Sequence, residues 1–319
     1  MNKRTTVVQA TQNRLSEAQF QQLHAMPAAA EWFANINNAQ TRRAYQGDIA
    51  DFCSFIGIHE PAQFQAVTRG HILAWRTQLE QRRLAGSTQR RKLAALASLY
   101  DYLLNANAIS GGNPVHGVKR PAIETHEGKT PGLSDRQAKA LLDAPDADTL
   151  KGKRDRAVLA ILLYHGLRRE EAARLQRDDL QERRGIEHLR VHGKGGKLRY
   201  LPLHPTASER ITAYLSALPD TPETPAALFK PLRGPKTGEG LSADGIYALV
   251  NHYAKAAGIK AAGLGVHGLR VTAATNALEN DAEIAKVQAW LGHANISTTK
   301  IYDRREPKTE ASPTFKVRY

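Results

Sequence analysis

The chain has one cysteine, Cys53, so it can form no internal disulfide and no cysteine-based metal cluster. Long hydrophobic runs are also missing. The longest, residues 157–164, has eight residues, against about 20 needed to cross a bilayer. Lys3 and Arg4 are not followed by an apolar stretch, so no secretory signal is expected. Negative charge is scarce: 31 acidic side chains stand against 45 lysines and arginines, a formal charge of +14. The imbalance is spread along the chain. Residues 1–128 carry 14 basic and 9 acidic side chains, and residues 129–319 carry 31 and 22. Two basic regions on one chain suggest a polyanion held between them, most often nucleic acid. These features together point to a cytoplasmic, nucleoid-associated protein with no membrane anchor.

Several catalytic signatures are absent too. Gly193-Lys194-Gly195-Gly196-Lys197 lacks the spacing and the Ser/Thr of a nucleotide-binding loop. His188 and His192 have no third partner for zinc and read as surface residues of a hairpin. No Gly-x-Ser-x-Gly elbow occurs.

Residues 1–26 form a polar, glutamine-rich arm. Residues 27–108 read as a small helical domain. Tyr45, Ile49, Phe52 and Phe55 recur at helical spacing. Ile72, Trp75 and Leu79 do so after a Thr68 cap, and Leu93, Leu96, Leu99, Tyr100 and Leu103 after a Ser87 cap. Basic residues cluster at two helix starts: Arg42 and Arg43, then Arg90, Arg91 and Lys92. The three cations in the first turn of the Ser87 helix oppose its dipole, which suggests placement for an external anion, and all five are candidate nucleic-acid contacts. Residues 109–130, rich in glycine and proline, read as an extended linker.

A larger domain spans residues 131–303. Ser134 opens it with a capping-box pattern, and Lys153 to His165 reads as a buried helix. The segments around Leu189-Arg190-Val191 and Tyr200-Leu201-Pro202-Leu203 form a hairpin across the three-glycine turn. Further helices are expected over 206–218, 242–257, 269–280 and 283–291. Gly292 stops the last, and Ser297 caps the next. Residues 304–319 form a tail, in which Phe315-Lys316-Val317-Arg318-Tyr319 alternates like a strand and is expected to add to a sheet edge.

Four features carry chemistry. Arg168 follows Gly166-Leu167 at a helix start, and Lys194 sits at the hairpin tip. His267 and Arg270 lie one turn apart on a helix face. His293 and Tyr302 flank a turn that can bring them close. Each alone has a bland explanation, such as a salt-bridged arginine or a core tyrosine. Together they are an inventory for phosphoryl transfer without magnesium.

In this order the motifs Gly166-Leu167-Arg168, Gly193-Lys194-Gly195, His267-Gly268-Leu269-Arg270, Leu291-Gly292-His293 and Ile301-Tyr302 resemble those of the tyrosine recombinases, the family of Xer proteins, Cre and phage integrases. The resemblance covers residues 27 to about 305. It implies a mostly α chain: a helical SAM-like core-binding domain and a mixed α+β catalytic domain with a small antiparallel sheet, the DNA breaking-rejoining enzyme fold. It implies no metal and no cofactor. It makes Tyr302 the nucleophile that forms a 3′-phosphotyrosine, Arg168 and Arg270 the phosphate clamp, and Lys194 the acid for the leaving 5′-oxygen. His267 accepts the tyrosine proton, His293 bonds a phosphate oxygen, and Glu171 braces the arginine. Val271 stands where the family often has histidine. The resemblance also implies a homotetramer on duplex DNA and a four-way junction, the reaction of a mobile element; it leaves open an accessory or partner recombinase and whether the host is a phage, plasmid, transposon or chromosome. The rivals are a type IB topoisomerase-like enzyme and a binding-only regulator.

Overall fold

Short polar side chains set where the helices begin, and left-handed glycines set where several end. The computed structural model describes residues 28–122, 130–218, 226–233, 239–261, 263–303 and Val317; for Ala29 and Lys194 it describes the backbone only. The chain divides into two compact units, Met1–Glu124 and Thr125–Tyr319.

The first unit contains helices α1 (Ala28–Asn35), α2 (Ala39–Ile56), α3 (Arg69–Gln81) and α4 (Gly86–Asn105), with a 3-10 turn at Pro61–Ala66. The Asn38 side chain accepts from the Gln40 and Thr41 amides at 3.0 Å and starts α2. Gly57 ends it at φ 75°. Thr68 and His71 cap α3 reciprocally, as the sequence suggests. Ser87, by contrast, is not a cap: α4 already starts at Gly86, and Ala85 precedes it without a side-chain bond. Phe52, Ile72, Trp75, Leu93, Leu96 and Tyr100 form the core. Helix α1 adds Trp32, whose ring stacks on Tyr45 at 5.9 Å.

The basic cluster of α4 needs correction. Lys92 is buried, with its ammonium 3.2 Å from Asp48 and 3.0 Å from Asp51 of α2, and it lies over the Trp75 ring. Arg91 also pairs with Asp48. The repulsion between cations and the helix N-terminus is relieved inside the domain by two carboxylates, with no external anion needed for Lys92. Arg42 donates to the Ile36 carbonyl and Arg90 to the Pro121 carbonyl, while Arg43 is exposed. Part of the expected linker is also packed. Asn113 donates to the Ala97 carbonyl and to Asp101, and Val115 and Val118 are buried against the helical core.

In the second unit, α5 (Asp135–Asp143) starts in the Ser134–Gln137 capping box. Helix α6 (Leu150–His165), capped by Thr149, is apolar around its C-terminal half and forms the axis of this unit. It packs against α5, the short α7 (Arg169–Ala173), α8 (Pro205–Leu215) and α10 (Val266–Glu279). Three antiparallel strands, β1 (Leu180–Arg183), β2 (Ile186–His192) and β3 (Leu198–Pro202), lie in sequence order. The expected hairpin is β2–β3; polar β1 is additional. Leu189 pairs with Leu201 and Val191 with Arg199 on the inward face. Helix α9 (Ala243–Ala256) is capped by Ser242. Helices α11 (Ile284–Leu291) and α12 (Ser297–Lys300) complete the unit. Ser297 does not cap α12; the Asn295 side chain accepts from the Ser297 amide instead. The expected strand at 315–319 lies outside the described residues apart from Val317. No helix among the described residues is long and apolar enough to cross a membrane.

Candidate active site

Three turns bring the motifs together. Helix α6 stops at Gly166, which takes φ 57° and ψ 32°, and the chain reverses into Arg168 at the N-cap of α7. Helix α11 stops at Gly292, with φ 66° and ψ 44°, and leads into His293. Between β2 and β3, Gly195 and Gly196 take positive φ and close the hairpin, where Gly193 N–H donates to the Lys197 carbonyl at 2.7 Å. Gly193 itself has φ −85°, so only two of the three glycines serve the turn conformation. The Lys194 backbone lies in this turn; its side chain lies outside the described residues.

Arg270 joins two of these turns. Its guanidinium donates to the Gly166 carbonyl at 2.5 Å and to the Leu291 carbonyl at 2.6 Å, with 1 % of the residue exposed. Burial, then the nearby Arg168 charge, pushes its pKa down to about 10. Arg168 donates to Glu171 at 2.7 Å and to the Gly292 carbonyl at 3.3 Å. Glu171 also receives the Arg168 amide at 2.9 Å and two bonds from Arg199, at 3.0 and 2.7 Å. Burial by itself would raise the Glu171 pKa, but the bonds from Arg199 and Arg168 outweigh it and hold it at about 2.

That shift has a sign. Glu171 binds fewer protons folded than unfolded, so its stabilisation is fully present above about pH 4.5. It is lost as pH falls through about 2. Glu171→Gln should therefore flatten the loss of stability over that acid window, by about 3 kcal/mol relative to the native protein. Chemical denaturation at a series of pH values checks this.

His267 lies exposed near the start of α10, one turn before Arg270. Partial desolvation, then Arg270 and Arg168, lower its pKa. His293 is half-buried; its Nδ1 lies 2.9 Å from Thr299 Oγ1, and Thr299 is fully buried. Burial, then Arg270 and Arg168, push His293 down to about 4, so it is neutral at neutral pH. Tyr302 is 2 % exposed and packs with Val271, Leu278, Val287 and Leu291. Its ring centroid lies 6.0 Å from that of His293. Burial raises its phenol pKa, and Arg270 and Arg168 offset this only in part.

The structure thus gathers Arg168, His267, Arg270, His293 and Tyr302. The residue missed from sequence is Arg199. The signal was present: Arg199 shares the inward parity of Leu201 on β3, and an arginine at an inward strand position needs a carboxylate. Arg168 and Arg199 both pair with the carboxylate of Glu171, and the Arg270 guanidinium, bonded to two carbonyls, lies within electrostatic reach of it. The centre is short of negative charge, which is the condition for holding a phosphodiester.

Comparison with known proteins gives the same picture. A family model described as the phage integrase family matches residues 132–308, and one described as the phage integrase N-terminal SAM-like domain matches residues 36–107. The tyrosine recombinase XerC of Listeria welshimeri is 32 % identical over 270 residues, covering 83 % of this chain and 87 % of the relative. XerD of Listeria monocytogenes is 31 % identical over 269 residues, covering 83 % and 88 %. The Tn1549 transposon integrase, solved in complex with circular intermediate DNA, shares the fold at a TM-score of 0.66 and 16 % identity. That match covers 92 % of this chain and all of the solved one. With one family model over more than half of its length and relatives above 30 % identity over most of it, the chain belongs to the phage integrase family, the site-specific tyrosine recombinases.

Proposed function

We propose that the chain cleaves and rejoins duplex DNA through a 3′-phosphotyrosyl intermediate on Tyr302 and exchanges strands through a four-way junction. The observation that carries this reading is the surplus of guanidinium over carboxylate in one buried centre. A phosphodiester supplies the missing negative charge. Charge on its non-bridging oxygens grows in the transition state, and in this reading Arg168 and Arg270 stabilise it.

The step balances without a co-reactant. Tyr302 Oη bonds to phosphorus as the bond to the 5′-oxygen breaks, and Lys194 protonates that oxygen. His267, whose pKa is lowered by desolvation and by Arg270 and Arg168, accepts the phenol proton. His293 is neutral as well. With the Thr299 hydroxyl donating to Nδ1, its Nε2–H is left to donate to a phosphate oxygen. A 5′-hydroxyl from the other duplex then attacks the phosphotyrosine and releases Tyr302. The phosphodiester energy is kept in the covalent link throughout.

Duplex DNA as partner is supported by the net charge of +14 and by the DNA-bound state of a structural neighbour. In the helical unit, Arg43 and Arg91 are exposed candidates for backbone contact, and Arg42 and Arg90 are partly exposed. A homotetramer and a mobile-element host belong to the same reading. A plasmid carrying two direct copies of the DNA flanking the encoding gene tests it. Wild-type protein should delete the intervening segment, and Tyr302→Phe should bind without deleting it. Relaxed plasmid with no deletion would replace recombination by topoisomerase-like strand passage.

A further inference from the structure

Arg199 belongs to none of the five motifs, yet it touches three of the segments that carry them. It projects inward from β3 opposite Val191, with its side chain 13 % exposed. Both of its terminal nitrogens bond Glu171, the residue that also holds the Arg168 amide and guanidinium. Its guanidinium also fills the space left by two glycines. A Cβ at Gly292 would come within 3.2 Å of Arg199 Nη1, and one at Gly193 within 3.3 Å. The φ of −85° at Gly193 is open to any residue, so the glycine there answers to space, taken by the Lys197 carbonyl at 3.1 Å as well as by Arg199. Gly193 precedes Lys194 and Gly292 precedes His293.

We propose that Arg199 is a positioning residue: wedged between Gly193 and Gly292 and clamped to Glu171, it sets Arg168, Lys194 and His293 in register around one phosphate. The proposal rests on the active-site reading above and adds a member to it. A planar, two-pronged guanidinium can face a carboxylate and two glycine turns at once; an ammonium can present only a point charge. Register matters because displacing a reacting group by about 1 Å costs about a hundredfold in rate.

The test uses the full chain as wild type, Arg199→Gln and Arg199→Lys. Deuterium exchange on DNA-free protein reads the clamp directly. Arg199→Gln should speed exchange around Gly193 and over 291–293, while α6 stays protected. Single-turnover adduct formation on nicked duplexes tiled from the DNA flanking the gene reads the consequence. Arg199→Gln should be slower by at least about tenfold, with DNA affinity within about twofold of wild type, and Arg199→Lys should recover only part of the rate. Unchanged exchange at both turns would overturn the proposal. So would a wild-type adduct rate in Arg199→Gln. If wild type forms no adduct on any duplex, the recombinase reading fails on that ground, and exchange at the two turns decides the clamp by itself.

Discussion

Replacing Arg270 by alanine should slow covalent adduct formation by about a hundred- to a thousandfold, the range for losing one preorganised donor to a transition-state oxyanion. It should also destabilise the catalytic unit by about 2–4 kcal/mol. The two effects have separate origins. The first is loss of charge beside the reacting phosphate. The second is structural: the guanidinium satisfies the Gly166 and Leu291 carbonyls, which lie 104 and 21 residues away in sequence. Without it, two carbonyls are left unpaired in a buried site. Arg270→Lys keeps a cation but cannot present the same fork to two acceptors, so it should recover little of either loss. Adduct rate corrected for folded fraction, together with the thermal midpoint, separates the terms.

Gly166→Ala should be among the most destabilising single-methyl changes in the chain. The position is left-handed, at φ 57°, which costs an L-residue about 1–2 kcal/mol. The added Cβ would also lie 2.9 Å from Leu291 Cδ2 and 3.5 Å from Trp290 Cη2. Overpacking of this kind adds about 1–3 kcal/mol. A combined loss of about 2–5 kcal/mol lowers the melting midpoint by about 4–20 °C for a unit of this size. Because the clash falls on the last turn of α11, the Gly292–His293 turn must move as well, and adduct formation should drop with stability. A melting midpoint within a degree or two of wild type would refute this packing account.

What could be read from the sequence follows from which interactions are local. Helix periods, the Ser134 and Thr68 caps and the Gly292 stop depend on neighbours within a turn or two, and the structure has them. The Ser87 and Ser297 caps are local too, but competing side chains and an earlier helix start displaced them. Helix α1 escaped notice because its eight residues offer too short an apolar pattern, although Trp32 anchors it. Lys92 was legible in hindsight. It lies four and seven residues before Leu96 and Leu99, on the apolar face of α4, and Asp48 lies four before Phe52 on α2. A base and an acid on facing apolar stripes form an internal pair. The Arg199–Glu171 clamp was harder, because it spans 28 residues and needs the sheet placed against α7. In the candidate site, the ordered motifs nominated the residues, but the burial of Arg270 and Tyr302 and the carboxylate that Arg168 and Arg199 share could come only from the fold.

Trapping the covalent adduct tests the central claim most directly. Wild-type protein and Tyr302→Phe are incubated with the tiled nicked duplexes, denatured, digested with protease and examined for a nucleotide-bearing peptide. The account requires an adduct with wild type only, attached through Tyr302 to the 3′ side of the break. An adduct that persists in Tyr302→Phe, or one that maps to another residue or to the 5′ side, would contradict it.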